Sequence, residues 1–444
     1  MAQIAVIGGG GREEAIAWSL KKEGHSVLCL PGNGGSEYRF NIDITKGETS
    51  EERQANFPRL LEFAQNEPLE LIVVGPEQPL VDGIVDYSHR EGFKKIFGPT
   101  SFGAAIEADK FYSFEVMNAC GIPQARSIPC SNLSSADDAI KELSTDRGVV
   151  LKARGLTGGK GVSVFDSADD ALRALPEFLG KYGKDGSVLV AERLFGQEFS
   201  VFGISDGNRV FPFPIPIQDH KRLLVNDEGP NTGGMGAYGP APIANAEIVK
   251  HVADTMMTPA VQFMRDRRVS YKGFLYAAVI DDVDKGLKIL EYNCRLGDPE
   301  TQPLVMMLKH GLYRPIMASL NGTLNESLME VNPGAACTVV LISNGYPGQI
   351  QKGFKIGGLE KISKEEDTVV FHAGTAINNE GSLVTSGGRV LGVTSYSPKG
   401  IADAQKKAYA ATVHIAEETK KLNGGRDVLT YRSDIADKAL LTKK

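Results

Sequence analysis

Four times in the first hundred residues a short apolar run stops abruptly at glycine or proline. Gln3-Ile4-Ala5-Val6-Ile7 runs into Gly8-Gly9-Gly10-Gly11, Ser26 to Leu30 into Pro31-Gly32-Asn33-Gly34-Gly35, Leu71-Ile72-Val73-Val74 into Gly75-Pro76-Glu77, and Lys95-Ile96-Phe97 into Gly98-Pro99. Helical stretches at 12 to 22 and 50 to 66 lie between the runs. Apolar runs without polar alternation read as buried strands, and their alternation with helices predicts an α/β domain on an open parallel sheet. In such a sheet ligands sit beyond the carboxyl ends of the strands, which is where these glycines are.

This first domain is expected to span 1–103, followed over 104–123 by a helix from Ala104 to Cys120 and the turn Gly121-Ile122-Pro123. A small unit over 124–190 has strands at 149 to 152 and 162 to 165 and a helix at 168 to 181. A larger piece over 191–330 takes strands near 188 to 192, 198 to 204, 274 to 280 and 287 to 294, with helices near 245 to 267 and 300 to 311. The last unit, 331–444, reads as an α+β cap with strands at 337 to 342, 368 to 371 and 389 to 394 and a helix at 400 to 420. No internal repeat interrupts this order.

Composition narrows the function. With 49 Lys and Arg against 55 Asp and Glu the net charge is −6; a nucleic-acid binder carries a basic surplus, so no nucleic-acid partner is expected. No apolar stretch approaches the ~20 residues that span a bilayer, so no membrane partner is expected either. Five cysteines, an odd number without a C-x-x-C pair, suit a reduced compartment. The glycine-broken amino terminus does not read as a signal peptide. A cytoplasmic protein, monomer or small homo-oligomer, is the expectation.

Several segments carry chemistry. Gly10, Gly11, Arg12 and Glu13, where the first turn opens a helix, suit a small phosphorylated substrate, because glycine admits an anion to the helix N–H groups. A plain tight turn and a dinucleotide site are the alternatives, the latter weakened because Glu stands at 13 and 14 where G-x-G-x-x-G needs glycine. In VLKARGLTGGKGV, 150 to 162, a strand delivers Lys152 and a glycine-rich hairpin with Gly158, Gly159 and Lys160 returns as a second strand. It can close over a polyphosphate, yet it is no Walker A loop, since Gly159-Lys160-Gly161 opens a strand and not a helix. Backbone at the strand exit near Glu192 and Leu194 can pair with an adenine edge, and Glu198 can take ribose hydroxyls. In LEYNCRLGDPET, 290 to 301, strand alternation puts Glu291, Asn293 and Arg295 on one face together with Ile289. A carboxylate beside a carboxamide oxygen suits Mg²⁺, and an adjacent Arg suits developing phosphoryl charge. QDHKR at 218 to 222 and the glycine-rich stretch after it read as a ligand-facing loop, with His220 the one histidine of seven in such a setting.

Together these segments resemble the ATP-grasp superfamily and, within it, the phosphoribosylamine–glycine ligase family. QDHKR, GPNTGGMGAY at 229 to 238 and EYNCRLGDPETQ at 291 to 302 carry the resemblance, with GGKGV at 158 to 162, NGYPG at 344 to 348 and GGRVLGVT at 387 to 394. The resemblance implies a pre-ATP-grasp amino-terminal domain, an ATP-grasp lid and central domain, and a carboxyl-terminal cap. It implies ligation of glycine to 5-phosphoribosylamine with ATP, through a glycyl phosphate intermediate, aided by Mg²⁺ or Mn²⁺. Residue by residue, Lys110 and Lys152 would hold ATP phosphates, Glu192 and Leu194 the adenine, Glu198 the ribose, and Glu291 and Asn293 the metal. Arg295 and Asp298 would form the reaction-centre pair, with Asp219 and Lys221 shaping the amine substrate's pocket. The chain departs from the family's usual pattern at Arg154, where Asp is common, and at Glu14, where His is common. A biotin carboxylase, a dehydrogenase and a catalytically silent nucleotide-binding module are the competing readings.

Overall fold

The computed structural model describes every residue except 38, 41, 159, 184, 363, 366 and 442–444. Strands β1 (Gln3–Gly8), β2 (Ser26–Pro31), β3 (Leu71–Val74) and β4 (Ile96–Phe97) form the expected parallel sheet, in the order β2-β1-β3-β4. Ala5, Ile7, Leu28, Leu30, Ile72 and Val74 enter one core cluster, and Ile4, Val6, Val27, Cys29, Leu71 and Val73 the other. Alternate side chains thus bury on opposite faces, which is why these runs are apolar beyond their first residue.

The helix expected from Ala104 to Cys120 is two helices, Ser101–Ala108 and Lys110–Ala119. Asp109 breaks it: its backbone is extended, at φ −129° and ψ 106°, and its Oδ1 accepts the N–H groups of Phe111 at 2.9 Å and Tyr112 at 3.3 Å. A short carboxylate that caps the second helix outcompetes continuation of the first.

Strands β5 (Ser127–Cys130), β6 (Val149–Ala153), β7 (Val162–Phe165) and β8 (Val188–Glu192) form a small sheet in the order β5-β8-β6-β7. The sequence groups β8 with the larger piece, but it lies between β5 and β6 with Val188 to Ala191 buried. An antiparallel sheet β10-β9-β15-β16 follows, from β9 (Gly196–Asp206), β10 (Val210–Pro212), β15 (Lys272–Asp282) and β16 (Gly286–Asn293).

The carboxyl-terminal sheet draws strands from two distant stretches. β11 (Gln218–Asp219) and β14 (Gly236–Gly239) pair onward to β17 (Ala335–Ser343), β21 (Arg389–Ser397) and β18 (Thr368–His372), while β22 (Leu429–Thr430) also pairs β17. Hairpins β12–β13 (Arg222–Leu224, Glu228–Asn231) and β19–β20 (Thr375–Ile377, Leu383–Thr385) stand apart. Helix Ile401–Leu422 buries Ile401, Ala404, Ala408, Ala411 and Ile415, a stripe at alternating spacings of three and four, against β17 and β21. β11 and β14 thus pair the QDHKR segment and the loop after it with the carboxyl-terminal sheet. Among the described residues no helix is long and apolar enough to cross a membrane.

Candidate active site

A cleft with an empty volume of about 410 Å³, its open mouth included, lies between the small sheet, helix Lys110–Ala119 and β16, with Lys110, Ser113, Lys152, Leu189 and Glu291 among its lining residues. β6 carries Lys152 into it, where Nζ donates to the Leu290 carbonyl at 3.2 Å. Burial lowers the Lys152 pKa and Lys110 adds to this, against the pull of Glu291. Lys110, the first residue of its helix, places Nζ 4.0 Å from Glu291 Oε2. Burial opposes ionisation of Glu291, but Lys110, Lys221, Lys152 and Arg295 together hold its carboxyl below the ordinary range.

β16 bends at this point. Glu291 pairs with Ala278 while Ile289 pairs with Val279, leaving Leu290 as the extra residue of a bulge. Residues opposite one another share a face, so Ile289 lies with Tyr292 in one core and not beside Glu291, contrary to the strict alternation expected from sequence. Glu291 and Asn293 keep a common face. Asn293 is buried, and its Nδ2 has no hydrogen-bond partner among the described residues. Turned over, the same carboxamide presents an acceptor oxygen there. Among the described residues no three His, Cys, Asp or Glu converge as a metal-holding group. Two protein oxygens with room for water and phosphate fit Mg²⁺ better than a metal that demands a full protein cage.

Arg295 is held from three sides: Nη2 donates to Glu107 Oε1 at 2.8 Å, Nε to Glu77 Oε2 at 3.2 Å and Nη1 to the Leu296 carbonyl at 3.2 Å. Burial works against the Glu77 carboxylate, yet Arg295 and Arg12 bring its pKa down to about 2. Sequence reasoning missed both carboxylates. Glu77 stands just past a strand's carboxyl end, a usable signal, whereas Glu107, in the last turn of helix Ser101–Ala108, carries none.

Asp298 accepts from Arg389 Nη2 at 3.0 Å and from Gln302 Nε2 at 2.8 Å. Arg389 also donates to the carbonyls of Gly233 at 2.5 Å and Asp298 at 2.6 Å, and the Gly233 N–H donates to Tyr346 Oη at 2.8 Å. The carboxyl-terminal sheet therefore clamps both the glycine-rich loop and Asp298. Neither Arg389 nor Tyr346 was foreseen as a site residue, although both lie in stretches that carry the resemblance.

The first glycine turn faces the same region: a side chain at Gly11 would meet Gln302 and Asp298. Its amino-terminal N–H groups are partly taken. Glu13 curls back so that Oε2 accepts the Gly10 N–H at 2.8 Å, while Oε1 accepts from Arg12 Nε at 2.5 Å. Any Cβ at Gly8 or Gly75 would collide with Glu13. These glycines make room for a carboxylate of the chain itself.

Glu192 Oε1 accepts the Arg126 N–H at 2.9 Å and its Oε2 pairs with Lys285, while Leu194 packs on Ala125, Val150 and Ala191. Lys221 Nζ donates to Glu198 Oε2 at 2.9 Å. Burial and Glu198 raise the Asp219 pKa, and burial and Asp219 push Glu300 up to about 7. Gly158 and Lys160 stand exposed on the hairpin; Gly159 lies outside the described residues. His220 is turned to the carboxyl-terminal segment. It is buried, Nε2 accepts the Ala436 N–H at 3.1 Å, and burial pushes its pKa down to about 3.

The chain matches the family models for the phosphoribosylglycinamide synthetase N domain over residues 2–107, the ATP-grasp (A) domain over 108–301 and the C domain over 336–438. It is 38% identical over 441 residues to the phosphoribosylamine–glycine ligase of Synechocystis, covering 99% of this chain and 100% of that protein. The chain belongs to the phosphoribosylamine–glycine ligase family. The crystal structure of the family's Thermotoga maritima ligase superposes with a TM-score of 0.80 at 29% identity, covering 98% of this chain and 100% of that one. Biotin carboxylase from Campylobacter jejuni superposes at 0.71 with 14% identity, covering 98% of each chain. That likeness is one of fold alone, and it is membership in the ligase family that displaces the biotin carboxylase reading.

Proposed function

We propose that this chain joins glycine to 5-phosphoribosylamine with ATP, releasing ADP and phosphate and giving glycinamide ribonucleotide for purine synthesis. The observation that carries the reading is the convergence of Lys110, Lys152 and Glu291 on one cleft, with Arg295 beyond them. Full-length membership in the family supports the choice of substrates.

Glycine's carboxylate is a poor electrophile. In the proposed route one of its oxygens attacks the γ-phosphorus, the bond to the β-phosphate oxygen breaks, and ADP leaves from glycyl phosphate. The amine of phosphoribosylamine then attacks the acyl carbon, loses a proton, and expels phosphate carrying that glycine oxygen. Lys110 and Lys152 neutralise phosphate charge. Arg295, already oriented by Glu77 and Glu107, is expected to stabilise the transferring group without reorganising. Glu291 and Asn293 would hold Mg²⁺ or Mn²⁺, which draws electron density from the phosphate oxygens. Glu192 and Leu194 are assigned to adenine and Glu198 to ribose. Gly158, Gly159 and Lys160 are assigned to covering the phosphates, which would keep water from the acyl phosphate. Gly10, Gly11, Arg12, Glu13, Asp219, Lys221 and Asp298 are assigned to the remaining substrates. Five free cysteines accord with a cytoplasmic setting.

Glycine labelled with ¹⁸O in its carboxylate tests the route. One labelled oxygen should pass to inorganic phosphate and none to ADP. Unlabelled phosphate, or ADP release indifferent to freshly prepared phosphoribosylamine, would refute it.

A further inference from the structure

Helix Lys110–Ala119 and the glycine-rich hairpin are joined at one point that the reaction scheme leaves unused. Arg154, the residue after β6, turns its guanidinium onto Asp109: Nε lies 3.1 Å from Oδ1 and 3.0 Å from Oδ2, and Nη2 donates to Oδ2 at 2.8 Å. The backbone reinforces this, since the Lys110 N–H donates to the Arg154 carbonyl at 2.8 Å. The guanidinium also lies over the Phe111 ring, 4.9 Å from its centre, and Nη1 reaches Asp185 at 3.4 Å. Asp109 is the residue whose cap makes Lys110 the first of a new helix. The carboxylate that sets Lys110's place is thus itself held in a fork from the base of the hairpin.

We infer that Arg154 is a positioning residue for the nucleotide: through Asp109 it sets where Lys110 stands against the phosphates. The inference rests on the reading that Lys110 contacts those phosphates. Its stability value is small, because the Arg154 side chain is 44% exposed and that of Asp109 30%, and partly exposed pairs contribute little to global folding. Removing it should leave the fold intact and act on the geometry of one cation. The guanidinium fork matters more than the charge, since a lysine ammonium cannot hold both carboxylate oxygens in the same way.

The test is calorimetric titration with Mg-ADP and with adenosine, which lacks phosphates, on the full chain and on Arg154→Ala, Arg154→Lys, Lys110→Ala and the double variant Lys110→Ala/Arg154→Ala. Arg154→Ala should weaken Mg-ADP roughly tenfold, on the scale of losing an outer partner of a binding group. Adenosine affinity should not change, and Arg154→Lys should recover part of the loss. If Arg154 acts through Lys110, the double variant should bind Mg-ADP no more weakly than Lys110→Ala alone. Unchanged Mg-ADP affinity in Arg154→Ala, or a loss that adds fully to that of Lys110→Ala, would overturn the inference. Wild-type Mg-ADP affinity in Lys110→Ala would remove Lys110 from the phosphates, and the positioning role with it.

Discussion

Glu77, which opens the helix just after the amino-terminal sheet's β3, accepts a hydrogen bond at 3.2 Å from Arg295, more than two hundred residues later and just past the end of β16. This contact ties the parallel sheet to the residues proposed for the reaction centre and pairs a partly buried carboxylate with a partly buried guanidinium. Because Arg295 and Arg12 depress the Glu77 pKa to about 2 against its burial, the folded state binds its proton less readily than the unfolded state. The stability it contributes is fully present above the ordinary carboxylate range and is lost as the pH falls towards 2. Melting temperatures from pH 7 down to pH 3 should therefore fall less steeply for Glu77→Gln than for the parent chain. Parallel curves would detach Glu77 from acid lability.

Glu300 shifts the other way, up to about 7, because it is buried and faces Asp219, with Lys221 and Arg295 offsetting part of the effect. Its stabilising contribution is complete below the ordinary carboxylate range and disappears as the pH rises through 7. Glu300→Gln imitates the protonated form, so chemical denaturation should show the parent losing stability between pH 5.5 and pH 8 while the variant changes less. A parent curve as flat as the variant's would contradict this.

Glu291→Gln removes a charge and almost no volume from the face shared with Asn293. The fold should survive, and turnover should drop by roughly a hundredfold or more if the carboxylate anchors the metal and phosphates. Full turnover at saturating Mg²⁺ would exclude Glu291 from that task. Circular dichroism and thermal melting separate this from a folding defect.

Arg432 is fully buried and pairs with Asp227 and Asp434, and it donates to the Arg222 carbonyl at 3.0 Å. Arg432→Met keeps much of the volume but leaves Asp227 with Lys438 and Asp434 with the Asn226 N–H, a change expected to destabilise the chain by about 1–3 kcal/mol. Because the paired segment runs straight from Asp219 and Lys221, Km for phosphoribosylamine should rise more than Km for ATP. Equal effects on both substrates would argue against a local clamp.

Much of the fold is legible because local chemistry decides it. Apolar runs stopped by glycine mark β1 to β4, and the alternating spacing from Ile401 to Ile415 marks a one-sided helix. Lys152, Glu291 and Asn293 are visible for the same reason, each placed by the strand that carries it. The failures share a different cause. The break at Asp109 depends on its carboxylate finding Phe111, Tyr112 and Arg154 at once, and the extra residue at Leu290 depends on how β16 is matched to β15.

By itself, then, the sequence determined the main strands and helices, the parallel character of the first sheet, the glycine turns and the family to which the motifs point. Tertiary structure alone decided that β11 and β14 join the carboxyl-terminal sheet, that Arg389 reaches Asp298, and that Glu77 and Glu107 enclose Arg295. The division follows from range. Backbone conformation and periodic burial are set within a few residues, whereas ion pairs and strand register arise between segments tens to hundreds of residues apart, and only packing fixes which of many compatible partners meet.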